Sequence, residues 1–135
     1  MNDSPDILTI KSDESELERT KKFLKNFFRK NNLPEDNFNR VFLCLSEAVM
    51  NSIHHGNQND NRKKVSIQAD CNNELVNFII SDEGDGFDFN NIENPTVQKN
   101  LKKESGRGIH IIKSLSRELE FKEKGKCVQF KIECK

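Results

Sequence analysis

The sequence contains no tryptophan and no tyrosine, and its charges cancel. Lys plus Arg and Asp plus Glu each number 22, which gives a formal net charge of +0 at pH 7. A neutral chain has no general attraction to nucleic acid or to an anionic membrane. We therefore expect no direct nucleic-acid partner. All ten aromatic residues are Phe, and we expect them to fill much of the core.

Long apolar runs and targeting signals are also missing. No stretch is apolar over the roughly 20 residues that a membrane-spanning helix needs. The opening residues, MNDSPDILTIKSDESE, have neither a basic start nor a sustained apolar core, so a signal peptide is not expected. We expect a cytoplasmic protein without membrane contact. No repeat or linker interrupts the 135 residues, which predicts a single domain over residues 1–135.

Paired metal-ligand motifs are absent as well. The four cysteines form no CxxC pair, and their spacing fits no zinc knuckle, so free thiols are expected. The HExxH zinc motif is also missing. The acidic run from Asp82 has the length of a calcium loop, but Gly84 occupies a ligand position and Phe87 the turn position. We therefore do not expect calcium there.

Apolar periodicity predicts an α+β fold. Helices are marked by one-sided apolar stripes and strands by alternation or short apolar runs. Short connections between consecutive strands, including a hairpin at Asn72–Asn73, favour a mixed, mostly antiparallel sheet with helices on one face. This architecture is a two-layer α/β sandwich. The predicted elements, in the order β-α-α-β-β-loop-α-β-β, cover residues 7–10, 16–30, 35–55, 64–71, 74–81, 109–115, 118–122 and 127–133.

The second predicted helix carries polar residues on a line beside its apolar stripe. Glu47, Asn51 and His55 are spaced four apart, and at about 100° per residue they share one side of the helix. A carboxylate near apolar neighbours costs free energy unless it is paired or used. The amide oxygen of Asn51 suits Mg²⁺ that also holds phosphates. A zinc site with His54 and His55, or a solvated helix flank, are the alternatives.

The segment DEGDGF follows a predicted strand. Gly84 and Gly86 would let the backbone approach a flat or charged ligand closely, and Asp82 would direct a carboxylate at a donor on that ligand. A plain glycine-rich turn is the alternative.

The segment SGRGIHIIKSL opens the third predicted helix. Its first turn offers free N–H groups to an anion, and Arg107, between Gly106 and Gly108, would add bidentate phosphate contacts. The P-loop pattern and the dinucleotide fingerprint are both absent. A simple helix cap is the alternative.

These motifs occur in a specific order along the chain. ExxxNxxxH on a helix, DxGxG after a strand, a polar stretch and GxG opening a helix together resemble the GHKL, or Bergerat-fold, ATPase superfamily. EAVMNSIHHGNQ and SGRGIHIIKSL look most like the anti-sigma regulatory serine/threonine kinases. The resemblance covers almost the whole chain, from about Ile7 to Lys135.

The resemblance implies roles for particular residues. Glu47 corresponds to the general base or water-positioning residue, and Asn51 to the ligand of the Mg²⁺ that bridges the ATP phosphates. Asp82 corresponds to the residue that bonds the adenine amino group. His55 and Gly56 match the motif of the serine kinases, and we interpret His55 as a structural residue at the helix end rather than a catalytic one. The resemblance also implies an ATP lid over about residues 88–105.

The glycine motifs gain roles in the same way. Gly84 and Gly86 would shape the adenine pocket, and the segment from Gly106 through Arg107 to Gly108 would wrap the phosphates. One departure concerns the last hairpin, where many relatives carry a threonine after the glycine and this chain has Lys126. The departure affects one polar contact near the DxGxG segment.

The resemblance also implies an activity and partners. It implies a protein kinase that uses Mg·ATP to phosphorylate a serine or threonine of a STAS-type anti-anti-sigma protein. It implies that the same chain sequesters a sigma factor and forms a homodimer. One alternative is a nucleotide-gated binding module with little kinase activity. Another is an ATP domain related to the sensor histidine kinases, disfavoured because His54, His55 and His110 all lie inside the ATP-site motifs.

Overall fold

The computed structural model describes residues 5–84, 108–123 and 126–134. Within these residues there are three α-helices and one sheet. The helices are α1 (Leu17–Lys30), α2 (Phe38–Asn51) and α3 (residues 108–115). The strands are β1 (Asp6–Lys11), β2 (Lys64–Asn72), β3 (Leu75–Asp82), β4 (Arg117–Lys122) and β5 (Cys127–Glu133).

The sheet order is β1-β2-β3-β5-β4, and every neighbouring pair is antiparallel. Alternate residues of β2, β3 and β5 are buried, as expected for a sheet with one covered face. On that face Phe78 and Phe130 are register partners whose ring centroids lie 5.4 Å apart. Apolar residues of all three helices join the same core. The predicted α+β sandwich is therefore confirmed.

The second predicted helix is not one uniform helix. It begins with a 3₁₀ turn (Glu35–Asn37), continues as α2, and ends in a π-helical turn (Ser52–Gly56). In that turn the N–H of Asn57 donates to the carbonyl of Ser52 at 2.8 Å. The extra residue in the final turn changes which side chains point back toward the sheet.

The hairpin between β2 and β3 turns one residue later than predicted. Asn72 still pairs with Leu75, and the turn residues are Asn73 and Glu74, with φ of 53° and 66°. A two-residue hairpin turn of this type needs positive φ at both positions. The backbone N–H of Cys134 donates to Glu74 O at 2.7 Å and holds this conformation.

Two further sequence expectations can be compared with the described residues. All four cysteines are free thiols, as predicted. In the part of the chain that the structure describes, no helix has both the length and the apolar character needed to cross a membrane. The predicted lid, residues 88–105, lies outside the described residues.

Candidate functional site

The polar line on α2 faces the beginning of α3. Glu47 and Asn51 are one turn apart on α2 and are both half-buried. Gly108, the first described residue of α3, is buried against them. A methyl group added to Gly108 would lie 2.8 Å from Oε2 of Glu47 and 3.3 Å from Nδ2 of Asn51. Only a residue without a side chain permits this approach without displacing the Glu47 carboxylate.

Asp82, the last residue of β3, lies in a contact between two glycines. A methyl group on Gly56 would be 2.2 Å from Oδ2 of Asp82, and one on Gly84 would be 1.7 Å from the carbonyl oxygen of Gly56. The N–H of Gly84 donates to Oδ1 of Asp82 at 2.9 Å. The end of α2 and the turn after β3 are therefore joined backbone to backbone, with the carboxylate held between them.

The surroundings of Asp82 oppose its ionisation. Burial raises the pKa of its carboxyl group, while the Gly84 N–H and, at longer range, Lys126 and Lys63 partly lower it. A carboxylate that stays desolvated without a full ion pair is typical of functional sites. Its backbone N–H donates to Lys126 O at 2.9 Å. Lys126 thus contacts this strand end through its backbone.

Asp82 borders a narrow cavity with mainly apolar walls. Its volume is about 20 Å³, which is room for about one water molecule. The polar side chains on its wall include those of Asp82, Asn51 and Ser52. The lining residues are Ala48, Asn51, Ser52, Gly56, Asp82, Ile109, Ile112, Phe121 and Val128.

Glu47 borders a second space, an open groove with a volume of about 500 Å³. Asn51 lines this groove as well as the cavity, so the two spaces adjoin at this residue. The groove is lined by Glu14, Glu47, Met50, Asn51, His54, His55 and Asn59.

The histidines of the groove do not assemble a metal site with Glu47. Nε2 of His54 lies 2.9 Å from Oε1 of Glu14, and Nδ1 lies 2.6 Å from Oδ1 of Asn59. His54 therefore ties the 3₁₀ turn before α1 to the loop after α2. Among residues 5–84, 108–123 and 126–134, no group of three or more His, Cys, Asp or Glu side chains is placed to hold a metal.

The structure brings together most of the predicted site residues that it describes. Glu47, Asn51 and Gly108 form one group, Asp82 and Gly84 form another, and the cavity is lined by Asn51 from the first group and Asp82 from the second. Gly84 supports Asp82 from behind rather than lining the cavity. The remaining predicted residues, Gly86, Gly106 and Arg107, lie outside the described residues.

Sequence reasoning missed two residues that shape the site. The sequence places Gly56 at the end of a helix and in a motif that resembles the serine kinases, with no contact to Asp82 expected, yet it contacts the Asp82 carboxylate directly. Asn57, which follows it, is fully buried and bonded to the residue after Asp82. For Gly56, the sequence signal that could have indicated a role at the site is its position directly after two histidines. For Asn57 no local signal exists, because it is one of several asparagines in a polar run.

Together the fold and the site define an α+β domain in which a narrow, mainly apolar cavity adjoins an open groove. A family model described as "Histidine kinase-like ATPase domain" matches residues 10–132. Because this match spans most of the chain, the protein belongs to the histidine kinase-like ATPase domain family. The resemblance inferred from the sequence motifs is thereby confirmed at the level of the family.

Individual relatives share between 24% and 37% of their residues with this chain, over part of its length. The chain is 37% identical to an anti-sigma F factor from Clostridium beijerinckii over 90 residues, which span 63% of this chain and 61% of that protein. It is 24% identical to the serine-protein kinase RsbW of Bacillus velezensis over 91 residues, which span 63% of this chain and 57% of the relative. With the RsbW of Staphylococcus aureus strain MSSA476, identity is 28% over 110 residues, 76% of this chain and 69% of the relative. The match thus spans less than two thirds of the length of the first two relatives.

Proposed function

We propose that this chain binds Mg·ATP, with the adenine in the cavity beside Asp82 and the phosphates at the groove beside Asn51 and Glu47. The observation that carries the proposal is the position of Asn51 where the two spaces meet. A nucleotide has an apolar, flat end and a charged end, and the site offers matching surroundings for each. The family match supports the same ligand.

The cavity has the chemistry that an adenine ring requires. Ile109, Ile112 and Phe121 provide apolar walls, and Asp82 provides an acceptor for the exocyclic amino group. A purine ring needs more than the 20 Å³ of the cavity, so binding requires its walls to move apart. We expect the α3 side to move, because Asp82 is fixed to the sheet and to the end of α2.

The junction fits the phosphates and a magnesium ion. Mg²⁺ takes hard oxygen ligands and is commonly held by few protein groups together with substrate phosphates. The half-buried amide of Asn51, next to the carboxylate of Glu47, supplies such an oxygen. When bound, Mg²⁺ would offset the charge that develops on the phosphates. The N-terminal turn of α3, with the predicted Gly106 and Arg107 before Gly108, would place N–H donors on the same phosphates.

The kinase proposal assigns the proton transfer to Glu47. As the hydroxyl oxygen of an acceptor serine or threonine bonds to the γ-phosphorus, its proton would pass to the Glu47 carboxylate. The bond between the γ-phosphorus and the bridging oxygen breaks, and ADP leaves. The groove on the Glu47 side is open, so a protein segment can reach this carboxylate. The printed names of the relatives, serine-protein kinase and anti-sigma F factor, support transfer to a protein serine and a sigma-factor partner. We propose a STAS-type anti-anti-sigma protein as the acceptor, as the resemblance of the sequence motifs implies.

Transfer of label from γ-labelled ATP to a purified STAS-type partner tests the proposal. We expect Glu47→Gln to slow transfer by about 100- to 10,000-fold, while nucleotide affinity stays within about threefold of the wild type, because the substitution removes only the base. The matched control is Glu18→Gln, which changes an exposed carboxylate of α1 outside the groove. It should transfer label at the wild-type rate.

The same assay separates the alternatives. Undiminished transfer in Glu47→Gln would remove Glu47 from its assigned role. Nucleotide binding without transfer to any partner would instead favour a nucleotide-gated binding module.

A further inference from the structure

Asn57 is a buried side chain outside the predicted set of site residues. It is 0% exposed and follows the π-helical turn that ends α2. Its amide group makes three hydrogen bonds, to Ser12, Lys64 and Glu83. Buried amides are retained in proteins when their donors and acceptors are satisfied. Asn57 thus connects the ends of β1 and α2 with the start of β2 and the turn after β3.

The hydrogen bonds around Asn57 close into a ring. Its Nδ2 donates to Lys64 O at 3.0 Å, and its Oδ1 accepts the backbone N–H of Glu83 at 2.8 Å. The Glu83 carboxylate in turn accepts the backbone N–H of Lys64. Each of these residues therefore both donates to and accepts from the ring. Ser12 extends it, because its hydroxyl accepts from Nδ2 at 2.7 Å and donates to Lys63 O at 2.8 Å.

The orientation of the Asn57 amide follows from these partners. Lys64 O can only accept and the Glu83 N–H can only donate. Turning the amide over would place its NH₂ group against the N–H of Glu83, and its oxygen against the carbonyl oxygen of Lys64. Neither pair can form a hydrogen bond.

The chain also adopts an unusual conformation directly after Asn57, since Gln58 and Asn59 have φ of 52° and 60°. Successive left-handed residues are unfavourable without support. Asn59 is held by its N–H, which donates to Ile53 O at 2.8 Å, and by its side-chain oxygen, which lies 2.6 Å from Nδ1 of His54.

We infer that Asn57 is a positioning residue that fixes the Asp82 carboxylate for recognition of the adenine amino group. The bond to the Glu83 N–H holds the residue next to Asp82, and Gly56, next to Asn57, contacts the carboxylate itself. Loss of the Asn57 amide would free the turn at residues 82–84 and let the carboxylate rotate. The inference rests on the proposed nucleotide site and assigns the selectivity of that site to a residue that does not touch the ligand.

The test compares two nucleotides that differ only at the amino group. ATP and purine riboside 5′-triphosphate share the ring and the phosphates, but only ATP can donate from the 6-position. We expect the wild type to bind ATP more tightly than purine riboside 5′-triphosphate. In Asn57→Leu the ratio of the two affinities should fall about tenfold. Affinity for the purine riboside nucleotide should change by less than about threefold. A loss confined to one nucleotide separates positioning from general destabilisation.

A control and a milder pair of variants accompany the test. Thr20→Val also removes a buried hydrogen-bonding group, because the Thr20 hydroxyl donates to Glu16 O within α1 at 3.0 Å. It should leave the ATP preference unchanged. If Asn57→Leu does not fold, Glu83→Ala opens the ring from its exposed side. Glu83→Gln keeps an acceptor oxygen and should restore the preference.

Amide exchange gives a second readout that needs no nucleotide. The Glu83 N–H should exchange with solvent at least about tenfold faster in Asn57→Leu than in the wild type, because its acceptor is gone. Thr20→Val should not change this rate. Unchanged exchange of the Glu83 N–H in both Asn57→Leu and Glu83→Ala would overturn the inference.

The two proposals fail in distinguishable ways. If the wild type binds neither nucleotide, the proposed function is overturned and the selectivity role falls with it. If the wild type prefers ATP and Asp82→Asn loses the preference while Asn57→Leu and Glu83→Ala keep it, only the role of Asn57 is overturned.

Discussion

At the scale of single residues, Asp82 is subject to opposing requirements of stability and binding. Its carboxyl group has a raised pKa because burial disfavours the charged form. At neutral pH the ionised group therefore destabilises the folded chain. The same desolvated carboxylate is a strong acceptor for an amino group. The residue that recognises the ligand is thus expected to reduce the stability of the ligand-free protein.

Asp82→Asn should accordingly stabilise the ligand-free protein near pH 7. A group with a raised folded-state pKa contributes stability below its unfolded value and loses it as pH rises through the folded value. The wild type carries this penalty at pH 7 and loses it as pH falls toward 3.8, the ordinary value. The gain in melting temperature should therefore shrink over the same range. Affinity for ATP should fall about 10- to 100-fold.

Melting temperatures measured between pH 4 and pH 8 check this prediction. Asp60→Asn is the control of opposite sign, because hydrogen bonds from Arg62 lower the pKa of Asp60 to about 2. It should destabilise the protein slightly or not at all, and never stabilise it. A melting temperature for Asp82→Asn below that of the wild type at pH 7 would contradict the account.

Single residues also show what the sequence could reveal about the site. Glu47, Asn51 and Asp82 stand out because polar groups at fixed spacing interrupt apolar segments. Asn57 does not, because its role depends on partners from β1, β2 and the turn after β3, up to 45 residues away at Ser12. Nothing within the run GNQNDNR distinguishes it from its neighbours. Pattern reasoning finds ligand-contacting residues more readily than the residues that position them.

At the scale of elements, the site depends on close approaches of backbone. The turn after β3 contacts the end of α2 through Gly84 and Gly56, and α3 contacts α2 through Gly108. These contacts differ in what blocks an added side chain. At Gly84 the obstacle is a carbonyl oxygen of the backbone, whereas at Gly108 it is the end of the flexible Glu47 side chain. The same substitution should therefore have different consequences at the two positions.

Gly84→Ala should destabilise the fold by about 1–3 kcal/mol or more, because its methyl group would lie 1.7 Å from Gly56 O and the backbone must move. Gly108→Ala should change stability by less than about 1 kcal/mol, because the Glu47 carboxylate can swing aside. It should nevertheless slow phosphoryl transfer at least about tenfold, since that carboxylate is displaced. Urea denaturation and the transfer assay measure the two effects. Equal destabilisation by both substitutions would contradict the distinction.

Element positions were predictable to within a few residues, but their ends were not. Alternation in KVSIQADC and the apolar stripe of α2 reflect burial on one side, which the sequence records directly. The π-helical turn at Ser52–Gly56 and the hairpin turn at Asn73–Glu74 depend on tertiary hydrogen bonds. Neither leaves a periodic signal. The π-helical turn contributes Gly56 to the site, and the hairpin turn reverses the chain between β2 and β3.

At the scale of the whole molecule, the walls of the site come from the sheet, from α2 and from α3. Asp82 belongs to the sheet, and Asn51 belongs to α2, which packs on that sheet through buried apolar residues such as Leu45 and Val49. Ile109 and Ile112 reach the cavity from α3, which is joined to β3 through residues 85–107. Opening the cavity for a purine therefore requires α3, whose Ile112 is itself part of the core, to shift relative to α2 and the sheet.

A crystal structure of the chain with Mg²⁺ and a non-hydrolysable ATP analogue tests the central claim most directly. The account predicts the adenine amino group within hydrogen-bonding distance of the Asp82 carboxylate and the Asn51 oxygen on Mg²⁺. It also predicts that the γ-phosphate faces Glu47 and that α3 has moved outward. A nucleotide bound elsewhere, or bound with its base away from Asp82, would contradict the account.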